Sequence, residues 1–186
     1  QKGGQYMLKG IKIRIYPDKE QEELLLSYCK DYHNMKNFLV AKFKDNLPNV
    51  VNNNIIGYKD RDLLQEYESE YNCKTELLMR SVRGAIVDYV SGVKRFYQKL
   101  SSRPPKFHKY DPNKQSFYII DCKYLIKNFV IQVPMRKELG QKYKSTISKK
   151  IPINKKYAIK ENITYLKDIR FKYEKGKWYI SGCYDV

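Results

Sequence analysis

Between residues 103 and 117 the chain reads RPPKFHKYDPNKQSF. Arg103, Lys106, His108, Lys109 and Lys114 are interleaved there with Phe107 and Tyr110, Gln115 follows, and prolines 104, 105 and 112 bend the segment. Cations that neutralise phosphates, set beside rings that stack on bases, are the composition of a nucleic-acid-binding segment. An ordinary basic surface loop reads similarly. A second run, KKIPINKKYAIK over 149–160, adds Lys149, Lys150, Lys155, Lys156 and Lys160. A mobile, solvated loop is an equal reading of that run.

Other chemistries find no residues to carry them. The sequence has no phosphate-binding glycine loop, no G-x-S-x-G and no carboxylate pair outside helix starts and acidic faces. Asp185 is a lone carboxylate ending a strand, and such groups are far more often solvated than catalytic. Cys29, Cys73, Cys122 and Cys183 lie far apart, and only His33 and His108 could join them, so a zinc site is not expected. Scattered free thiols point to a reducing, cytoplasmic setting. No apolar run is long enough for a membrane span or a signal-peptide core. The expectation is a chain that is not an enzyme on its own and holds no cofactor.

Charge narrows the partners. Against 20 Asp plus Glu stand 37 Lys plus Arg, a net +17, and +12 of that excess lies in residues 104–186. Polyanions are the expected ligands of such a surface, although a basic surface also serves solubility alone. The 18 tyrosines add side chains that stack on bases or pack with a wet hydroxyl.

These residues need elements to position them. Ile11, Ile13 and Ile15 share one face of a strand over 8–16, and Lys12 and Arg14 share the other. Pro17 ends it, Asp18 is a helix N-cap with Gln21 at the third position, and Glu20, Glu22 and Glu23 suit the positive end of the helix dipole. Leu25, Tyr28, Tyr32, Met35, Leu39 and Phe43 then recur as the stripe of a helix of about seven turns ending near Asn46. Residues 46–58 read as a loop. A short helix over 59–71 packs through Leu63, Leu64, Tyr67 and Tyr71, with Asp60, Asp62, Glu66, Glu68 and Glu70 solvated. A helix over 75–100 buries Leu78, Val82, Ile86, Tyr89, Val93, Phe96 and Leu100, and shows Arg80, Arg83, Ser91, Lys94 and Gln98 outward. Gly84, between the two arginines, permits close approach of a backbone or a nucleotide, or answers to packing. Strands follow over 116–120 and 128–133, then a hairpin about Gly176 in which Ile169, Phe171 and Tyr173 alternate before the turn and Trp178, Ile180 and Tyr184 after it. The simplest architecture is α+β: the first strand pairs with the late ones, closing a small antiparallel β-barrel around an inserted helical block.

The opening IKIRIYPDKEQEELL resembles the start of TnpB proteins, transposon-encoded RNA-guided DNA nucleases related to compact type V CRISPR effectors. In them a basic strand with an R-x-Y-P-x-x-E-Q signature precedes a helix. DYVSGVKRFY (88–97), with Lys94 and Arg95, is similar to the helix ending in two aromatics, and PPKFHKYDPNKQSF to the P-x-F-K segment leading into Q-S-F. IQVP (131–134) and GKWYISGCYDV (176–186) are similar to later strands. The order is shared over 7–186.

The resemblance implies a division into 7–17 as the first strand of a wedge-like, oligonucleotide-binding-like barrel, 18–103 as an inserted recognition lobe and 104–186 as the rest of the barrel. Residues 1–6 read as a tag remnant or loose arm. It implies guide or scaffold RNA and target-adjacent duplex DNA as partners, with the face of Lys12 and Arg14 meeting RNA backbone. The nuclease domain, with its Mg and Zn, would lie beyond residue 186. Arg80 and Arg83 stand where the family often has glutamines, which puts the identity of any adjacent motif in doubt, because arginine favours guanine edges or phosphate. Two alternatives remain: a guided DNA-binding regulator without cleavage, and a scaffolding or homodimerisation module built on the tyrosine-rich helix faces.

Overall fold

Strand β1 (Leu8–Ile15) forms where isoleucine alternates with cations, and its inner residues Ile13 and Ile15 are each 1% exposed. The computed structural model describes residues 7–53, 59–75, 77–133, 147–156 and 163–185. Helix α1 (Lys19–Phe43) begins in the expected capping box: Asp18 Oδ1 accepts from the Gln21 amide at 2.8 Å, and Gln21 Oε1 accepts from the Asp18 amide at 2.9 Å. Gln21 is itself buried, and its Nε2 donates to the carbonyls of Ser148 and Lys150 at 2.8 and 2.9 Å. One side chain thus starts the helix and ties it to a distant strand.

The helices depart from the sequence reading in instructive ways. Helix α1 stops at Phe43, and residues expected as loop form α2 (Leu47–Asn53). Pro48 stands in its first turn, where a missing amide costs nothing, and Val50 is fully buried, so packing overrides a turn-rich composition. Helix α3 (Asp60–Glu70) buries Leu63, Leu64 and Tyr67 but leaves Tyr71 exposed. Asp60 is not solvated: its side chain is 10% exposed and pairs with Arg83 at 3.0 Å. Helix α4 (Met79–Tyr97) starts later than expected, because Thr75 is held by its neighbours. Its hydroxyl donates to Asp31 at 2.5 Å and accepts from the Leu77 amide at 3.0 Å, and its own amide donates to Glu68 at 3.2 Å. Leu100, expected in the core, is 66% exposed, since α4 ends at Tyr97 and Lys99 turns the chain at a left-handed φ of 58°.

Strands β2 (Lys114–Lys127), β3 (Val130–Gln132), β4 (Lys150–Pro152), β5 (Tyr165–Glu174) and β6 (Lys177–Asp185) join β1 in one antiparallel sheet, ordered β1-β6-β5-β2-β3-β4. The first strand pairs with the last, from Leu8 opposite Asp185 to Ile15 opposite Trp178. Lys175 and Gly176, at φ 49° and 81°, make the two-residue β5–β6 turn, a type I′ conformation that favours glycine. The β2–β5 register shifts between Ile119 and Lys123, and the Asp121 amide donates to Asp168 there at 2.8 Å. Bulges of this kind curl a sheet. The result is a curled half-barrel, and the closed barrel read from the sequence is met only that far. Among the described residues its edges touch where Ile15 bridges Ile153, the Tyr16 amide donates to Pro152 and the Asn154 amide to Arg14, both at 2.9 Å. Part of the lysine run read as an equal candidate for a mobile loop therefore forms β4 and this bridge, while 157–160 fall outside the described residues.

Among the described residues β2 has, over most of its length, a strand partner on one side only, and α1 and α4 pack against it. Tyr28 of α1 meets Phe117 edge-on at 5.5 Å, and Phe117 stacks on Phe171 at 4.7 Å. On the opposite face of β2, Tyr118 lies against α4: a Cβ on Gly84 would sit 2.9 Å from the Tyr118 carbonyl oxygen. The close approach foreseen at Gly84 is to a strand backbone. Helices and sheet share a single cluster of buried side chains.

Candidate nucleic-acid interface

After α4 the segment 103–113 runs without regular structure, as its three prolines require. It is nevertheless held. Asn37 of α1, 7% exposed, donates from Nδ2 to the His108 carbonyl and accepts from the His108 amide at Oδ1, both at 3.0 Å. The side-chain amide thus acts as a short piece of β-ladder. Three residues earlier, Pro105 presses on Gly92 of α4, where a Cβ would lie 2.8 Å from the proline ring. The segment becomes a strap laid across α1 and α4, with Phe107 and Tyr110 still 59% and 49% exposed.

A cleft opens on each side of the strap. The larger, about 590 Å³, lies between α1, the strap's second half and the starts of β2 and the end of β5; His108, Lys109, Tyr110, Lys114, Gln115 and Lys172 line it. The smaller, about 360 Å³, is lined by Arg95 of α4 and by Arg103, Pro104, Pro105 and Lys106. Lys36, Asn37 and His108 border both.

The acids in these clefts are already engaged. Asp88 accepts two donors from Arg170, Nη1 at 3.1 Å and Nη2 at 3.0 Å, and the Tyr32 hydroxyl. Glu174 pairs with Lys12 at 3.3 Å, and Asp111 accepts the Asn113 amide at 2.9 Å. Among the described residues Arg95, Arg103, Lys106, Lys109, Lys114 and Lys172 have no ion-pair partner. Burial holds the Lys36 ammonium below the ordinary lysine range, with Asp88 opposing the shift. Burial, then His108 and Lys36 nearby, likewise lowers His33, whose ring meets Tyr110 edge-on at 6.0 Å. The site is a strip of uncompensated positive charge with aromatic edges.

The other sequence candidates are spread around this strip. Lys12 and Arg14 project from the outer face of β1: Lys12 Nζ stands 4.4 Å from the Tyr179 ring, and Arg14 5.5 Å from the same ring and 5.2 Å from Tyr16. Through Glu174, Lys12 adjoins the larger cleft. Arg80 and Arg83 are turned to internal partners, Arg80 to the Asp121 carbonyl and Arg83 to Asp60 and, at 3.5 Å, Asp121. Lys94 is half-buried on α4 outside both clefts. Lys149, Lys150, Lys155 and Lys156 lie at the β4 side of the sheet, also outside the clefts, Lys155 Nζ 5.7 Å from the Phe129 ring.

Sequence reading missed Lys36, Asn37, His33 and Lys172. The first three stand three and four apart on α1, beside its apolar stripe, which was the available signal. It also missed the Asp88–Arg170–Tyr32 network, whose members come from α4, β5 and α1 and meet only through the fold.

A family model described as a helix-turn-helix domain, of the IS605 OrfB group, matches residues 7–29. Such a domain is found in transposon-associated, TnpB-like proteins and suggests DNA binding. The matched residues are β1, the turn after it and the first part of α1, so here the segment is a strand, a capped turn and one helix. No curated protein matches the chain. Among the described residues no helix is long and apolar enough to cross a membrane, and no cluster of three His, Cys, Asp or Glu could hold a metal ion.

Proposed function

We propose that this chain is the nucleic-acid-binding part of an RNA-guided, DNA-targeting transposon-associated protein. It grips guide or scaffold RNA and the duplex beside the target, while cleavage, with its Mg and Zn, belongs to a nuclease domain outside these residues. The observation that carries the reading is the pinned strap with unpaired cations on both sides and exposed rings along it. Phosphates supply the affinity of such a surface, and its exposed rings stack on bases whatever their sequence. The N-terminal likeness to a transposon-associated helix-turn-helix domain supports the same reading.

That likeness also favours a second reading, a DNA-binding regulator that reads its site directly, without a guide RNA, and does not cut it. Fluorescence anisotropy with a structured RNA hairpin and with duplex DNA, from low to moderate salt, tests both. The expectation is RNA binding whose log–log salt slope is several units, since each neutralised phosphate contributes about 0.7–0.9. Duplex DNA bound tightly with no RNA binding would favour the regulator. Binding indifferent to salt, or none to either, would overturn both readings.

A further inference from the structure

We infer that the two clefts are one track for a single strand of nucleic acid, which crosses the strap and places one unstacked nucleotide on each side of it. The inference rests on the binding function proposed above and names the form of nucleic acid this site takes.

Three observations lead to it. The clefts share Lys36, Asn37 and His108, so only the strap divides them, and a backbone crossing there passes from one to the other without leaving cationic surface. Their volumes, about 590 and 360 Å³, lie in the range that holds a small organic group, whereas a base-paired helix offers a continuous backbone and keeps its bases stacked inside. Each cleft also holds what one nucleotide needs. The smaller has Arg95, Arg103 and Lys106 for phosphate and the flat Pro104–Pro105 pair for a base to rest on. The larger has Lys109, Lys114 and Lys172 for phosphate and the His33–Tyr110 ring pair for stacking.

The strap is a rigid divider, not a loose loop. Asn37 fixes its midpoint to α1, and Pro105 seats it on Gly92. A strand entering the track therefore meets a preformed surface, which saves the ordering cost a mobile loop would impose. Half-buried Lys36 sits at the crossing point, 5.8 Å from the Tyr32 ring and attracted by Asp88, and a phosphate there would add a second anion to its surroundings. RNA and a displaced DNA strand share this chemistry.

The test uses the full chain with four fluorescein-labelled probes: a 12-residue oligouridylate, the matching oligothymidylate, a 12-base-pair RNA duplex and the same duplex in DNA. Arg103→Ala/Lys109→Ala removes one cation from each side at exposed positions where folding is not at stake. Lys36→Met keeps the stem and removes the shared charge. The expected result is single-strand affinity reduced by about tenfold in the double variant, with the salt slope lower by about 1.4 units for two lost phosphate contacts, and duplex affinity within about twofold of the parent. Lys36→Met should also lower single-strand affinity selectively. Oligouridylate bound more tightly than oligothymidylate would identify RNA as the strand, and the reverse a DNA strand. Equal losses for duplex and single strand, or no loss for either, would overturn the track while leaving nucleic-acid binding intact. Binding of no probe would overturn the function it rests on as well.

Discussion

Asp88 takes three donors, two guanidinium contacts from Arg170 and the hydroxyl of Tyr32, and the Arg170 guanidinium lies 4.7 Å from the Tyr118 ring. Asp88→Ala would strand a cation and a hydroxyl between two helices and a strand. Removing one partner of a fully buried pair costs about 3–5 kcal/mol. Here the side chains are 29% and 21% exposed, so screening lowers the expected loss to about 2–4 kcal/mol. Urea unfolding reads it, and a loss under about 1 kcal/mol would show the pair to be idle. At this scale the sequence displayed the strap's cations and rings plainly, since composition alone marks them. It could not display Asn37 or Lys36, because a polar residue beside a helix stripe looks solvated until another segment covers it.

Among elements, the α4–β2 contact turns on the absence of a side chain at Gly84. Alanine there would gain up to about 1 kcal/mol of helix propensity. The added Cβ would stand 2.9 Å from the Tyr118 carbonyl oxygen, on a strand held by its ladder to β5, so neither side can yield cheaply. Gly84→Ala is therefore expected to destabilise by about 1–3 kcal/mol net, seen as a lower urea midpoint with an unchanged m-value. A stabilised variant would mean that the helix rides further from the sheet. Local signals served well for elements whose cause is local. The Asp18–Gln21 capping box and the hairpin about Gly176 stand as read, because a cap and a tight turn depend on adjacent residues. Helix α2 and the late start of α4 escaped notice because Val50 and Thr75 answer to partners far along the chain.

For the molecule as a whole, the four thiols report the layering. Cys29 and Cys122 are 1% and 3% exposed, while Cys73 and Cys183 are half-buried, and burial pushes the thiols of Cys29, Cys73 and Cys122 above their ordinary value. A maleimide or disulfide reagent should modify at most two cysteines in the native chain and four in urea, with mass spectrometry assigning the native pair to Cys73 and Cys183. Rapid native labelling of Cys29 or Cys122 would contradict the packing of α1 and β2 against the shared core.

The amino-acid order by itself determined the periods of β1, α1, α4 and the β5–β6 hairpin, the excess of positive charge and the candidate strap, since each follows from neighbours in the chain. Only the tertiary structure decided that the sheet stops at a half-barrel, that Arg80 meets the Asp121 carbonyl and Arg83 pairs with Asp60 and Asp121, and that the cations of the strap border two joined clefts. Those outcomes depend on which distant groups meet, and charge pairing, bulges and close backbone approach act through space, where sequence distance carries no information.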